Sequence, residues 1–188
     1  MAWPGASSRS IGSILSLHLS AAFDEFLGSA KSVRLLKQSS WMTGTRICII
    51  GASYGAGAEL ALRLLKEGRA VSGVGRNKKK MLGFDRLAKS KFGQSIQWHE
   101  IDLKDKELLA PVLEGIEIVV DCADPHYSPS IVGNLSSTVR KYVLLGSARA
   151  FSLVPDRRAE DCRVAERAVR ESGVTWTVLH PTVIYGGE

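Results

Sequence analysis

The sequence predicts an α/β fold built as a doubly wound parallel sheet of about six strands. Short apolar runs alternate along the chain with longer segments that carry apolar side chains at helical spacing. A cluster of glycines separates the first apolar run from the first helical segment. The composition, with 45% hydrophobic and 23% charged residues, is that of a globular domain.

The predicted strands share apolar, largely β-branched sequences that are typical of parallel strands covered on both faces. In chain order they are Arg46–Ile50, Ala70–Val74, Ser95–His99, Ile116–Asp121, Lys141–Ser147 and Val174–Leu179. Six strands joined by right-handed crossovers suffice for the sheet order 3-2-1-4-5-6.

The predicted helices fall between these strands. They are Gly55–Lys66, Lys79–Phe92, Lys104–Leu113, Pro129–Val139 and Arg157–Ser172. Gly68 and Gly173 follow two of them as stop signals, because glycine readily adopts the left-handed conformation that ends a helix.

Residues 1–43 differ from the predicted domain at residues 44–188. They are rich in Ser, Ala and Gly and contain few acidic residues. This composition favours a flexible or weakly helical extension, with Met42 as an alternative biological start. An organelle transit peptide, which is also basic and poor in acids, stays open as a third interpretation.

Charge and cysteine content limit the compartment and the partners. The net charge of +6 is scattered over helical segments apart from Lys78–Lys80, so we do not expect a nucleic-acid partner. Cys48, Cys122 and Cys162 have neither disulfide nor zinc-site spacing, which favours a reducing, cytoplasmic environment and no metal. No apolar run reaches the roughly 20 residues that span a bilayer, so no membrane partner is expected. A homo-oligomer is compatible with the sequence.

The most informative motif lies between the first strand and the first helix. It has the spacing G-x-x-x-G-x-G and comprises Gly51, Ala52, Ser53, Tyr54, Gly55, Ala56 and Gly57. In this context the glycines allow a tight turn and close approach of a diphosphate, which the helix N-terminus attracts. We therefore expect the Rossmann fold with a nicotinamide dinucleotide at this loop, and a side chain at Gly57 to meet the diphosphate.

The end of the second strand indicates which dinucleotide binds. NAD-binding proteins usually place an acid there for the ribose hydroxyls, whereas this chain has Arg76 followed by Asn77. A guanidinium pairs well with a 2′-phosphate. This position favours NADP(H) and leaves NAD possible.

Further strand ends are predicted to line the same cleft. Asp102 and Leu103 follow the third strand, where a carboxylate can accept from the adenine amino group. Cys122 and Ala123 follow the fourth strand beside the expected nicotinamide ribose. Asp102 and Asp121 are equally compatible with roles as loop or cap residues.

These residues resemble the short-chain dehydrogenase/reductase superfamily. The glycine loop matches the superfamily's nucleotide loop, and later segments are similar to its epimerase-like and NmrA-like branches. The matching segments are Leu145–Ala148 for a Ser-Ser-Ala-like motif, Arg163–Glu166 for Lys-x-x-Glu, and Trp176–Pro181 with Tyr185-Gly186 for the closing phrase. The resemblance implies a coenzyme contact at Pro181.

The resemblance also implies a Ser-Tyr-Lys catalytic set, which is incomplete here. Ser147 matches the serine that holds the substrate oxygen, and Arg163 stands at the lysine position. The tyrosine position then falls on Ala159, which has no proton to exchange. His126 and His180 are weaker candidates for proton exchange.

Two functions stay open from the sequence. One is an NADP(H)-dependent oxidoreductase or epimerase/dehydratase acting on an unknown small molecule. The other is a non-catalytic NADP(H)-binding redox sensor or regulatory subunit. The resembling proteins form their substrate pocket mostly after the closing phrase, so we expect this chain, which ends at Glu188, to lack that portion.

Overall fold

The computed structural model describes residues 44–182 and contains one six-stranded parallel sheet. The strands are β1 (Ile47–Ile50), β2 (Val71–Gly75), β3 (Gln97–Glu100), β4 (Ile118–Asp121), β5 (Lys141–Leu145) and β6 (Thr175–Leu179). Their order is β3-β2-β1-β4-β5-β6, which confirms the predicted doubly wound order. The predicted extension at residues 1–43 lies outside the described residues and stays a prediction.

Five α-helices cover the described sheet. They are α1 (Gly55–Lys66), α2 (Lys78–Phe92), α3 (Leu109–Leu113), α4 (Ser128–Val132) and α5 (Arg157–Arg170). One buried cluster joins α3, α4 and α5 to β1, β4 and β5 through side chains that include Leu109, Ile131, Val169, Ile50 and Tyr142. The reversal of strand order at β1 places α1 and α2 on the other face.

Two predicted helices are shorter in the structure. The helix expected over Pro129–Val139 is wrong beyond Val132, because Gly133 follows and Thr138 donates its hydroxyl to the Ile116 carbonyl at 2.9 Å. Ser, Asn and Thr side chains here offer the backbone alternatives to helical bonds. The helix expected over Lys104–Leu113 begins as a 3₁₀ turn at Lys106–Leu108 and becomes α-helical at Leu109.

The start of α1 packs closely on the end of β1. A Cβ atom at Gly57 would lie 2.5 Å from the Gly51 carbonyl oxygen and 3.2 Å from Cys122 Cβ. Gly51 itself has φ +80° and abuts the main chain of Cys122. A side chain at Gly57 would therefore first meet the Gly51 main chain and the Cys122 side chain, just after β1 and β4. That it would also meet a diphosphate stays a prediction.

A buried carboxylate organises the end of β4. Asp121 is fully buried and accepts hydrogen bonds at 2.7 Å from the hydroxyls of Ser128 and Tyr142 and at 3.0 Å from the Ala123 amide. Burial raises the pKa of the Asp121 carboxyl, and these three donors oppose that rise. The network holds the loop after β4 against α4 and β5.

We expect Gly57→Ala to destabilise the protein by about 1–3 kcal/mol, because the new methyl group collides with main-chain atoms. Gly83→Ala is the matched control. A Cβ at Gly83, inside α2, meets nothing within 4 Å, so alanine should stabilise by about 0.5–1 kcal/mol. Urea unfolding measures both changes; equal stabilities of the two variants would contradict the packing described for α1.

We expect Tyr142→Phe to lower the free energy of unfolding by about 1–3 kcal/mol, because it removes one donor from a buried carboxylate. Tyr54→Phe is the control, since the Tyr54 side chain is largely exposed and should change stability by less than about 0.5 kcal/mol. Thermal unfolding followed by circular dichroism reports both. A Tyr142→Phe protein as stable as the control would show that Asp121 does not need this hydroxyl.

Candidate functional site

The loops that follow β1, β2 and β4 meet at the carboxyl edge of the sheet. The amides of Gly51 and Ala52 donate to the Val74 carbonyl of β2 at 2.9 and 3.2 Å, and the Cys122 amide donates to the Ile50 carbonyl at 2.9 Å. The strand order reverses between β1 and β4. Such a reversal opens a crevice at the sheet edge, where ligands bind in open α/β folds.

The N-terminus of α1 has no side-chain cap. Tyr54 occupies the N-cap position in an extended conformation without a capping hydrogen bond, and the first turn holds no acid. By contrast, Asn77 caps α2 and Asp156 caps α5. Gly55 has φ +60°, and a Cβ there would point into open space. The amides of this turn and the positive end of the helix dipole therefore face an unobstructed surface.

Cationic side chains flank this turn on its β2 side. Lys80 Nζ lies 3.9 Å from the ring centroid of Tyr54, a residue that is 73% exposed. The Arg76 side chain is 69% exposed, and its Nη1 lies 3.8 Å from a carboxylate oxygen of Asp102. Lys80 was missed by the sequence analysis; the basic run at Lys78–Lys80 was the available signal.

Of the two residues singled out after β3, Asp102 lies at the surface and Leu103 packs against the core. Asp102 Oδ1 accepts from the Lys104 amide at 3.1 Å, which is the loop role that the sequence left open, while Oδ2 faces Arg76. Leu103 packs against the core cluster. The Asp102 side chain thus lies beside Arg76 at the expected adenosine end of the crevice.

The residues after β4 pack against the glycine loop. The Cys122 main chain contacts Gly51, and Ala123 packs against the core and donates its amide to Asp121. Burial raises the pKa of the Cys122 thiol to about 12, and the Asp121 carboxylate adds to this rise. Cys122 therefore serves in packing, since a thiol with that pKa is protonated at neutral pH and a poor nucleophile.

The ends of β5 and β6 are tied to each other. The Ala148 amide donates to the Pro181 carbonyl at 3.1 Å, and the Gly146 amide donates to the Leu179 carbonyl at 2.9 Å. Ser147 accepts from the Arg149 amide through its hydroxyl oxygen, and its carbonyl lies 3.2 Å from Nδ1 of His180. These bonds fix Ser147 at the carboxyl edge of the sheet.

The side chain of Arg163 is engaged in the loop after β5. Its Nη1 donates to the carbonyls of Ala150 and Ser152, both at 3.3 Å, and Nε donates to Glu160. Ala159, at the position where the resemblance expects tyrosine, is fully buried in α5. The three positions of the implied catalytic set thus hold a hydroxyl, a buried methyl and a loop-binding guanidinium.

Two histidines of the described chain border this edge. His180 lies between the Ser147 carbonyl and the Glu166 carboxylate, which is 3.5 Å from its Nε2. His126 pairs with Asp124, whose Oδ1 lies 2.8 Å from His126 Nδ1. The Asp124 pair was not foreseen, although Asp-Pro-His is a turn-forming sequence. Tyr185, in the predicted closing phrase, lies outside the described residues.

No helix within residues 44–182 has the length and apolar character to cross a membrane. In the same range, no group of three or more His, Cys, Asp or Glu side chains is arranged to hold a metal ion.

Comparison with known proteins gives structural matches only. No family model matches the sequence, and no curated protein sequence matches it. The fold is similar to a UDP-glucose 4-epimerase from Stenotrophomonas maltophila with bound NAD, at TM-score 0.62 and 12% identity over 72% of this chain. The chain spans about half, 52%, of that epimerase.

Two other solved structures are similar over most of the described chain. An alcohol dehydrogenase from Thermococcus sibiricus complexed with 5-hydroxy-NADP matches at TM-score 0.62 and 17% identity, covering 73% of this chain and 76% of that one. A short-chain type dehydrogenase/reductase from Mycobacterium ulcerans matches at TM-score 0.56 and 17% identity, covering 68% and 59%. The chain therefore has the Rossmann fold that short-chain dehydrogenases/reductases and UDP-glucose 4-epimerases share.

Proposed function

We propose that this chain binds NADP(H) and acts as an oxidoreductase or epimerase/dehydratase of the short-chain dehydrogenase/reductase type. The observation that carries the proposal is the uncapped N-terminus of α1, which opens on the crevice where the strand order reverses. Gly55 leaves space for a ligand, and the absence of an acid in the first turn suits a diphosphate. Ser53, Tyr54 and Ala56 complete the proposed diphosphate loop.

The choice of NADP(H) over NAD(H) rests on charge. Arg76 follows β2 and keeps a largely exposed guanidinium, and Lys80 lies nearby over Tyr54. Both cations suit a 2′-phosphate, which would draw Arg76 from its 3.8 Å contact with Asp102. Asp102 and Leu103 would border the adenine, with Cys122, Ala123 and Pro181 towards the nicotinamide.

The proposed chemistry follows from the coenzyme and the residues at the ends of β4, β5 and β6. When bound, a nicotinamide supplies or accepts a hydride at the substrate carbon. Ser147 would hold the substrate oxygen through its hydroxyl. Arg163 would contribute by fixing the adjacent loop, since its donors already reach Ala150 and Ser152. The substrate class is an unidentified small molecule with a carbonyl or hydroxyl group.

A second candidate is a non-catalytic NADP(H)-binding sensor or regulatory subunit. The fully buried Ala159 favours it, because the general acid of the resembling enzymes is missing there. Turnover separates the two candidates. If the protein binds NADPH but does not oxidise it in the presence of a broad panel of aldehydes, ketones and quinones, the non-catalytic candidate is supported. If NADPH is oxidised, the enzyme is supported.

We expect Tyr54→Asp to stabilise the protein and to weaken coenzyme binding. Aspartate caps the first turn, which contributes about 1 kcal/mol, but its charge occupies the diphosphate position. NADPH and NADH should both bind about tenfold to a hundredfold more weakly. Tyr54→Asn is the matched neutral cap, with a similar gain in melting temperature and a smaller loss of affinity. If Tyr54→Asp bound NADPH as tightly as the wild type, the diphosphate would not bind at this turn.

We expect Arg76→Ala to weaken NADPH selectively, by about tenfold to a hundredfold, because a charge-assisted contact with the 2′-phosphate contributes about 1.5–3 kcal/mol. NADH, which lacks that phosphate, should bind nearly as in the wild type. Arg86→Ala, an identical change at an exposed position of α2, is the control and should leave both affinities unchanged. Isothermal titration with each coenzyme tests this, and equal losses for NADPH and NADH would show that Arg76 does not read the phosphate.

A further inference from the structure

We propose that His126, oriented by Asp124, is the proton donor and acceptor of the reaction. It would replace the catalytic tyrosine of the resembling enzymes, whose position Ala159 occupies here. This inference rests on the proposed function and assigns a catalytic residue to it. It stands on three features of the described chain: a paired imidazole, its position beside α5, and the partial exposure of its side chain.

The pairing fixes the imidazole. Asp124 Oδ1 accepts from the His126 amide at 3.2 Å and lies 2.8 Å from its Nδ1, so one carboxylate oxygen holds both the backbone and the ring. The ring also packs on Tyr127, with centroids 3.7 Å apart. A carboxylate at Nδ1 selects the tautomer protonated there and leaves Nε2 to accept a proton, which is the arrangement of a general base.

The 3₁₀ turn Pro125–Tyr127, which carries His126, packs against α5. Burial raises the pKa of the Asp124 carboxyl, but hydrogen bonds from His126, aided by the charges of His126 and Arg158, bring it below its usual range. The thiol of Cys162 has a raised pKa, chiefly from burial and next from Asp124. Arg158 and Cys162 lie one and three positions from Ala159 on α5, so these effects agree with a pair beside the helical turn that holds Ala159.

The pair is also reached from the crevice. Asp124 follows Ala123, whose amide lies 3.2 Å from where a Cβ of Gly51 would stand. The His126 side chain is 43% exposed. The segment therefore runs from the residues beside Gly51 to α5 and carries a partly exposed imidazole.

The proposed step balances as a carbonyl reduction. When bound, NADPH would supply a hydride to the carbonyl carbon, and the C=O π electron pair would pass to the oxygen. That oxygen takes the Nε2 proton of the His126 imidazolium, while Asp124 stabilises the cation through Nδ1. The products are the alcohol, NADP⁺ and neutral imidazole, which regains a proton from water. Oxidation of an alcohol by NADP⁺ uses the same groups in reverse.

The first test is spectroscopic and needs no turnover. The full chain is labelled at ¹³Cε1 of histidine, and NADP⁺ is added while NADPH affinity is measured separately by fluorescence. The His126 resonance, identified by its loss in His126→Ala, should shift on saturation with NADP⁺. The resonance of His99, in β3, should not. If NADPH binds and the His126 resonance does not shift, the role of His126 is wrong but the proposed function is unaffected. If neither coenzyme binds, the proposed function itself is wrong.

The second test is catalytic. With the panel of carbonyl compounds, His126→Ala should lower kcat by about 10²–10⁴-fold at unchanged NADPH affinity, and added imidazole should restore part of the rate. Asp124→Asn should lower kcat without rescue by imidazole. His99→Ala, the matched control, should keep the wild-type rate. A His126→Ala protein with wild-type kcat, or a wild-type protein that binds NADPH and reduces no member of the panel, would overturn the assignment.

Discussion

The site depends on the close approach of α1 to the end of β1. Gly57 lets the helix start directly above the Gly51 carbonyl, and Gly51 lets the chain turn at φ +80° against the main chain of Cys122. A side chain at Gly57 would push the first turn of α1 away from Gly51, and one at Gly51 would collide with the main chain after β4. Because the amides of that turn are held by this packing, their direction is set before any ligand arrives.

The adjoining structure stabilises that edge with buried and exposed polar contacts. Asp121 is fully buried beneath the loop that touches Gly51, and its three donors hold that loop in place. Further along, carbonyl acceptors of Leu179 and Pro181 tie the end of β6 to the loop that bears Ser147. Cationic Arg76 and Lys80 lie at the opposite end of the same edge. The hydrogen-bonded centre and the charged flank suit the extended, anionic coenzyme that we propose for this edge.

Sequence patterns predicted the features of the fold that depend on interactions between residues close in the chain. Apolar runs and the glycine spacing predicted all six strands and the position of α1, since both are set by burial and by backbone conformation. They failed at α4, where Thr138 bonds to Ile116, and they could not reveal Tyr142, whose hydroxyl meets Asp121 only across the sheet. The pairing of Arg76 with Asp102 was likewise invisible, because it joins the ends of two different strands.

The central claim is that main-chain amides at the start of α1 bind a diphosphate. A crystal structure of the full chain grown with NADPH tests it most directly. We expect the two phosphates of the diphosphate to lie within hydrogen-bonding distance of amides in residues 54–57, with the 2′-phosphate near Arg76. Coenzyme bound elsewhere, or a side chain lying across that turn while NADPH occupies another surface, would contradict it.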